Sequence, residues 1–79
     1  MKLYVIFDTM ANFSGQVMTF RNEALAIRTF TSIVKQNASI GKDLVLYYLG
    51  DYDDTTMSIK LASTPTVAVR GDNLFAEDA

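Results

Sequence analysis

The stretch KLYVIFD, residues 2–8, decides the fold, because it is a nearly continuous run of apolar side chains rich in β-branched and aromatic types. A run of this length and composition is typical of a strand that is buried on both faces. The stretch DLVLYYLG, residues 43–50, has the same character. We therefore predict that these two stretches form doubly buried strands of one sheet.

Weaker apolar patterns predict two further strands. Residues 16–21 alternate between polar and apolar side chains, which predicts a half-buried strand that pairs with residues 2–8 as a hairpin. Residues 51–55, DYDDT, predict a turn, because aspartate side chains bond their own backbone in turns. The chain then returns over residues 56–61 as a strand with one apolar face. That face carries Met57, Ile59 and Leu61.

The period of the pattern changes after residue 21. Asn22 is a good N-cap, and Glu23 is a first-turn carboxylate that favours the helix dipole. The apolar residues that follow are spaced by three and four, as on the buried stripe of an amphipathic helix. They are Ala26, Ile27, Phe30, Ile33 and Val34. We predict a helix over residues 23–36 that ends at Asn37 in a left-handed conformation.

The C-terminal part of the chain carries the least regular pattern. The sequence STP at residues 63–65 predicts the end of the preceding strand, because proline cannot donate to a strand ladder. Residues 66–70 fit a short edge strand. We interpret residues 63–79 as a tail that extends along the sheet or swaps onto a neighbouring chain.

These elements predict a single α+β domain over residues 1–79. Its order is β-β-α-β-β, with a further short strand as an option, in an antiparallel sheet of four to five strands. The one helix packs on one face of the sheet. Since residues 2–8 and 43–50 are apolar on both faces, either the C-terminal segment or a second copy of the chain must cover the other face. We favour a homodimer.

The composition excludes most enzyme chemistry. The chain has 79 residues, with no cysteine and no histidine. This removes thiol nucleophiles, Ser-His-Asp catalysis, and the zinc, iron–sulfur and haem sites that need these ligands. We predict that the protein is not an enzyme and has no catalytic residue, no metal site and no cofactor.

Asp51, Asp53 and Asp54 form the main carboxylate cluster. A hard divalent cation prefers oxygen ligands of this kind, but the spacing lacks the glycine and glutamate of an EF-hand loop. We therefore interpret the cluster as a solvated turn and keep a cation-dependent activity as the weaker alternative. Asp8 would join the cluster if the ends of the two apolar strands met.

Aromatic and basic residues on the predicted strands suggest a stacking surface for single-stranded nucleic acid. The candidate residues are Lys2, Tyr4, Tyr47, Tyr48, Lys60 and Arg70. The competing interpretation is that these tyrosines only fill half-buried strand positions. The net charge of −2 argues against strong duplex binding, which depends on neutralising phosphates.

Three segments carry a resemblance to a known family. They are MKLYVIFD at residues 1–8, RNEALAIRTF at 21–30 and LGDYD at 49–53, and they occur in the same order there. Together they resemble the small nonstructural protein of gokushovirus-type microviruses, which are bacteriophages with single-stranded DNA genomes. The resemblance covers residues 1–62 and brings no catalytic motif with it.

The resemblance implies an accessory role in the replication or synthesis of viral single-stranded DNA, in the cytoplasm of the host bacterium. We expect no association with a membrane. Two mechanisms follow from the residues. Either the protein binds single-stranded DNA through the strand tyrosines, or it is an interaction module that binds a phage or host replication protein without touching DNA.

Overall fold

The computed structural model of the protein describes residues 1–74, and it confirms an α+β fold with one antiparallel sheet of five strands and one main helix. The strands are β1 (Lys2–Asp8), β2 (Phe13–Ser14), β3 (Met18–Phe20), β4 (Leu44–Asp53) and β5 (Ser58–Arg70). The helices are α1 (Glu23–Gln36), α2 (Ala38–Gly41) and a final 3-10 turn at Gly71–Leu74.

The two most apolar strands lie side by side at the centre of the sheet. β1 pairs antiparallel with β4 along its whole length, from Lys2 opposite Asp51 to Asp8 opposite Leu44. β5 continues the sheet beyond β4, while β2 and β3 both pair with the other side of β1. The central position explains why the sequences of β1 and β4 are apolar on both faces.

Helix α1 begins and ends at the predicted residues, Glu23 and Gln36. The side-chain oxygen of Asn22 accepts a hydrogen bond from the backbone N–H of Leu25 at 2.9 Å. At the other end, the backbone N–H of Asn37 donates to the carbonyl oxygens of Ile33 and Val34. The left-handed conformation predicted for Asn37 is wrong, because its φ is −123°. The next residues turn directly into the short helix α2.

The core lies between α1 and one face of the sheet. Its largest fully buried side chains are Tyr4, Phe30, Val34 and Leu46. The ring of Tyr4 makes edge-on contacts with the rings of Phe20 and Tyr48, at centroid distances of 6.0 and 5.6 Å. Tyr4 therefore fixes three strands, β1, β3 and β4, beneath the helix.

The predicted strand break at Pro65 is wrong. β5 runs unbroken from Ser58 to Arg70, so the residues interpreted as the start of a tail belong to the sheet. Proline is tolerated there because, among residues 1–74, no strand pairs with the outer side of β5. The register of β5 with β4 is also irregular on either side of Tyr47 and Tyr48, which relaxes the need for a backbone donor. The part of the predicted tail at residues 75–79 lies outside the described residues.

The hairpin between β4 and β5 is displaced from its predicted position. β4 continues through Asp51–Asp53, where the sequence predicted a turn, and the turn occupies residues 54–57. The Asp53 carboxylate stabilises that turn by accepting hydrogen bonds from the backbone N–H groups of Thr55 and Thr56. These bonds hold the pKa of Asp53 below its usual value. The strand predicted at residues 16–21 is shorter than expected, since only Met18–Phe20 form β3. The additional short strand β2 precedes it.

Gly50 sits where β4 bulges between its two neighbours. Its φ is +155°, which side-chain-bearing residues rarely adopt. A Cβ at this position would overlap the carbonyl oxygen of Lys60 and lie 2.8 Å from the Cα of Leu61. The close approach of β4 and β5 therefore requires glycine here.

We expect Gly50→Ala to lower the free energy of unfolding by about 2–4 kcal/mol, through backbone strain and overpacking. Gly15→Ala is the matched control, because a Cβ there would meet only the Ile6 carbonyl oxygen at 3.7 Å. The control should change stability by less than about 0.5 kcal/mol. Urea titrations followed by circular dichroism measure both. Equal losses in the two variants would contradict the account of the bulge.

The buried hydroxyl of Tyr4 makes stability depend on pH. Burial, and then its hydrogen bond to a carboxylate oxygen of Glu23 at 3.1 Å, raise the pKa of Tyr4 from 10.0 to about 12. A raised folded-state pKa stabilises the fold fully below the unfolded value and loses that contribution as the pH rises through the folded value.

We therefore expect the wild-type protein to lose about 2 kcal/mol more stability than Tyr4→Phe as the pH rises from 10 to 12. Urea unfolding of both proteins at pH values across this range measures the difference. Parallel stability curves for the two proteins would show that the hydroxyl is not buried as described.

Candidate interaction surface on the open face of the sheet

The two faces of the sheet have different surroundings. Helix α1 and the 3-10 turn pack on the face that carries Tyr4 and Leu46. Within residues 1–74, no helix packs on the opposite face, which we call the open face. By strand register, its main side chains are Leu3, Val5, Phe7, Val45, Tyr47, Leu49, Tyr52, Ile59, Leu61, Val67 and Arg70.

A cleft of about 570 Å³ lies on the open face. Its lining residues are Val5, Phe7, Ser14, Gly15, Val17, Tyr47, Leu49 and Pro65. The two central strands supply Phe7 and Tyr47, whose rings meet edge to face with centroids 6.2 Å apart. Residues 14–17 and Pro65 come from opposite sides of the sheet. The cleft is therefore an apolar channel across the two central strands.

The open face also carries apolar side chains that project into solvent. Ile59 is 58% exposed, Leu61 is 69% exposed and Val67 is 48% exposed. Ile59 and Leu61 lie on the predicted apolar face of their strand, but no described element covers them. Met57 does not join them, because it lies in the turn with a φ of 62°. Exposed apolar surface of this kind makes the open face the candidate interaction surface.

Charged groups are sparse on the open face. Among the described strand residues on this face, Arg70 is the one with a charged side chain, and its guanidinium lies 3.1 Å from the Asp72 carboxylate. Lys2 belongs to the helix-covered face, where its ammonium lies 3.8 Å from the Asp51 carboxylate and 5.2 Å from the centroid of the Tyr48 ring. The open face is therefore mainly apolar.

The structure does not bring the six predicted nucleic-acid-binding residues onto one surface. They are Lys2, Tyr4, Tyr47, Tyr48, Lys60 and Arg70. Tyr47 and Arg70 lie on the open face, whereas Lys2, Tyr48 and Lys60 have the opposite register. Tyr4 is 0% exposed, which corrects its assignment, because a core ring is unavailable to a base. DNA contact by the remaining residues stays a prediction.

Tyr48 has a structural role at the end of the sheet. Its hydroxyl donates to the Asp51 carboxylate at 2.9 Å, and this bond is the main cause that raises the pKa of Tyr48. Lys60 lies opposite Asp51 on the neighbouring strand. The ion pair of Lys2 with Asp51 joins β1 to β4 where the sheet narrows to a two-stranded hairpin.

Of the eight residues that line the cleft, Tyr47 is the one that the sequence predicted as a site residue, and the missed members include Phe7, Val17 and Pro65. The signal for Phe7 was present, because residues of odd number in β1 alternate away from Tyr4 and so face the same side as Val5. Pro65 gives the opposite signal, since a proline predicts the end of a strand. Val17 belongs to the alternating stretch 16–21, but it shares a face there with the polar residues Thr19 and Arg21, which gives no signal of an apolar cleft.

The carboxylate cluster does not form a cation site. Asp51 is engaged by Lys2 and Tyr48, and Asp53 accepts backbone hydrogen bonds of the turn. Asp8 lies at the far end of the antiparallel pair, so it does not approach the other carboxylates. Across residues 1–74, no group of three or more suitable side chains could hold a metal ion.

Comparison with known proteins places the chain in a family. The sequence model of a family described as "Phage ORF5 protein" matches residues 1–74. The chain belongs to this family. No curated protein and no solved structure matches the chain. In the part of this phage protein that the structure describes, no helix is long and apolar enough to cross a bilayer.

Proposed function

We propose that this phage protein is a non-enzymatic accessory protein in the replication of a viral single-stranded DNA genome. It acts in the host bacterial cytoplasm by binding a protein partner through the open face of its sheet. The observation that carries the mechanism is the open face itself, an apolar surface with a central cleft and exposed Ile59, Leu61 and Val67. Surfaces depleted of charge at their centre and rich in apolar side chains are typical of protein interfaces.

The sequence supports a role in a phage with a single-stranded DNA genome. The chain belongs to the phage ORF5 family. The three ordered segments also resemble the nonstructural protein of microviruses, whose genomes are single-stranded DNA. The lack of cysteine and histidine supports a role in binding rather than in catalysis.

Single-stranded DNA is the second candidate ligand of the same face. The observation in its favour is that Phe7 and Tyr47 present aromatic rings on the two central strands, beside a cleft. Sheet-borne rings at such positions stack bases in other nucleic-acid-binding domains. Against it, the net charge is −2, and both Lys2 and Arg70 are already paired with carboxylates. Protein binding therefore fits the charge pattern better.

The proposed role is tested in cells infected with the phage that encodes the protein. Val67→Lys places a charge on the open face at a half-exposed position, so we expect it to leave the fold intact and to weaken the interface. The accumulation of single-stranded genomes relative to duplex replicative DNA should fall at least about tenfold. This corresponds to a loss of about 1.4 kcal/mol of binding free energy at the interface. Strand-specific quantification of viral DNA measures this ratio.

Met57→Lys is the matched control, because Met57 is 76% exposed but lies in the turn and outside the open face. The control should leave the ratio unchanged. An unchanged ratio with Val67→Lys, while the variant protein is folded and present at the wild-type level, would refute the proposed function.

A fluorescence-anisotropy titration with labelled single-stranded DNA separates the two candidate ligands. If the open face binds a protein and not DNA, the signal stays flat even in low salt, where phosphate contacts are strongest. If the DNA candidate is right, Tyr47→Ala weakens binding by about tenfold or more, because stacking contributes about 1–3 kcal/mol per base. Tyr48→Phe, on the other face, serves as the control.

A further inference from the structure

We infer that the occupant of the open face is a second copy of this chain, packed face to face in a twofold dimer. The proposal rests on the proposed function, since it names the occupant of the same surface. Four observations support it: the edges of the sheet, the area of the face, its shape and its charges.

The edges of the sheet are unsuitable for association. The outer edge of β5 carries Pro65, which has no N–H group to donate, and its register with β4 shifts twice. The opposite edge is divided between β2 and β3, which have two and three residues. Short, irregular or proline-bearing edges prevent pairing with another strand. The edges therefore disfavour strand-to-strand pairing, whereas the open face offers an exposed apolar surface to a second copy.

The area of the open face is sufficient for a dimer. β4 has 10 residues. At about 3.4 Å per residue, with three to four strands spaced about 4.8 Å apart, the face has a footprint of roughly 550 Å². Two such footprints bury about 1,100 Å², which exceeds the ~1,000 Å² expected of a specific interface. Side chains that rise above the sheet add to this area.

The shape of the face is self-complementary. The exposed side chains of Ile59 and Leu61 lie level with Tyr52 and Gly50 of β4, while Tyr47 and Leu49 of β4 line the cleft. Consider a twofold axis that lies between the two faces, perpendicular to the strands and level with the bond between residues 49 and 50. It places position 52 of one copy level with position 47 of the other, and position 50 level with position 49. Each copy then inserts its two projecting side chains at the rim of the other copy's cleft. Twofold interfaces require this reciprocity, in which the same patch serves both subunits.

The charges at the ends of the face follow the same symmetry. Arg70 lies level with Val45 at one end, and Asp54 follows the last residue of β4 at the other. The same axis exchanges positions 45 and 54, so each Arg70 approaches the acidic turn of the second copy. A dimer with this geometry has two equivalent ion pairs at its rim, which fix the antiparallel orientation.

Sedimentation velocity over a range of concentrations tests the dimer. The wild-type protein should sediment as a species of twice 8.8 kDa at high concentration. Leu61→Lys and Ile59→Lys should each raise the dissociation constant at least tenfold. Both positions are exposed in the single chain, so the variants should stay folded, as circular dichroism will show. Met57→Lys, at an exposed apolar position outside the face, should dimerise like the wild type.

A charge swap tests the orientation. Arg70→Asp should weaken the dimer, and the double variant Arg70→Asp with Asp54→Arg should restore it, although both variants lose the ion pair of Arg70 with Asp72. A monomer of 8.8 kDa at all concentrations would overturn the proposal. A dimer that both lysine variants leave intact would overturn it as well.

The outcome is separable from that of the proposed function. If the wild-type protein is monomeric while Val67→Lys still reduces single-stranded genome accumulation, the dimer is refuted and the role of the open face stands with a different protein partner. If the dimer forms as described while Val67→Lys leaves viral DNA unchanged, the proposed function is refuted and the dimer stands.

Discussion

The structure depends on one geometric constraint, which is that a single helix covers only one face of a sheet whose central strands are apolar on both. The packing of Phe30 of α1 against Tyr4 and Leu46 closes the covered face and forms the core. The same two strands direct equally apolar side chains, among them Val5 and Tyr47, to the other side. Domains bury each apolar face against another layer. Within residues 1–74, however, no second layer covers the open face.

Local chemistry made much of this fold predictable. The run over residues 2–8, the Asn22 cap and the helix over 23–36 were correct because period and capping are properties of neighbouring residues. Pro65 was misread because its effect depends on whether the strand is central or at an edge, and edge position is a tertiary property. The length of β4 was underestimated for a similar reason, since the pairing of Asp51 with Lys2 and Lys60 outweighs the turn preference of aspartate.

The candidate site was less predictable than the fold. Tyr47 and Tyr48 are adjacent in a strand, so they face opposite sides of the sheet and cannot form one stacking surface. Residue type alone could not tell that Tyr4 is in the core, because tyrosine suits both buried and half-exposed strand positions. What the sequence did establish is the uncovered apolar face, since that conclusion needed only the count of helices and the double apolar character of two strands. The interaction surface follows from that mismatch rather than from any single motif.

An intermolecular nuclear Overhauser experiment on a mixture of labelled and unlabelled chains tests the central claim most directly. Within one chain, Ile59 is level with Tyr52, which lies five residues along β4 from Tyr47. The resulting separation of about 17 Å is too long for a nuclear Overhauser contact between Ile59 and Tyr47 of the same chain. The account predicts cross-chain contacts from the methyl groups of Ile59 and Leu61 to the Tyr47 ring and the Val67 methyl groups. Cross-chain contacts that instead involve only the outer edge of β5, or none at all in a sample concentrated enough for the dimer, would contradict it.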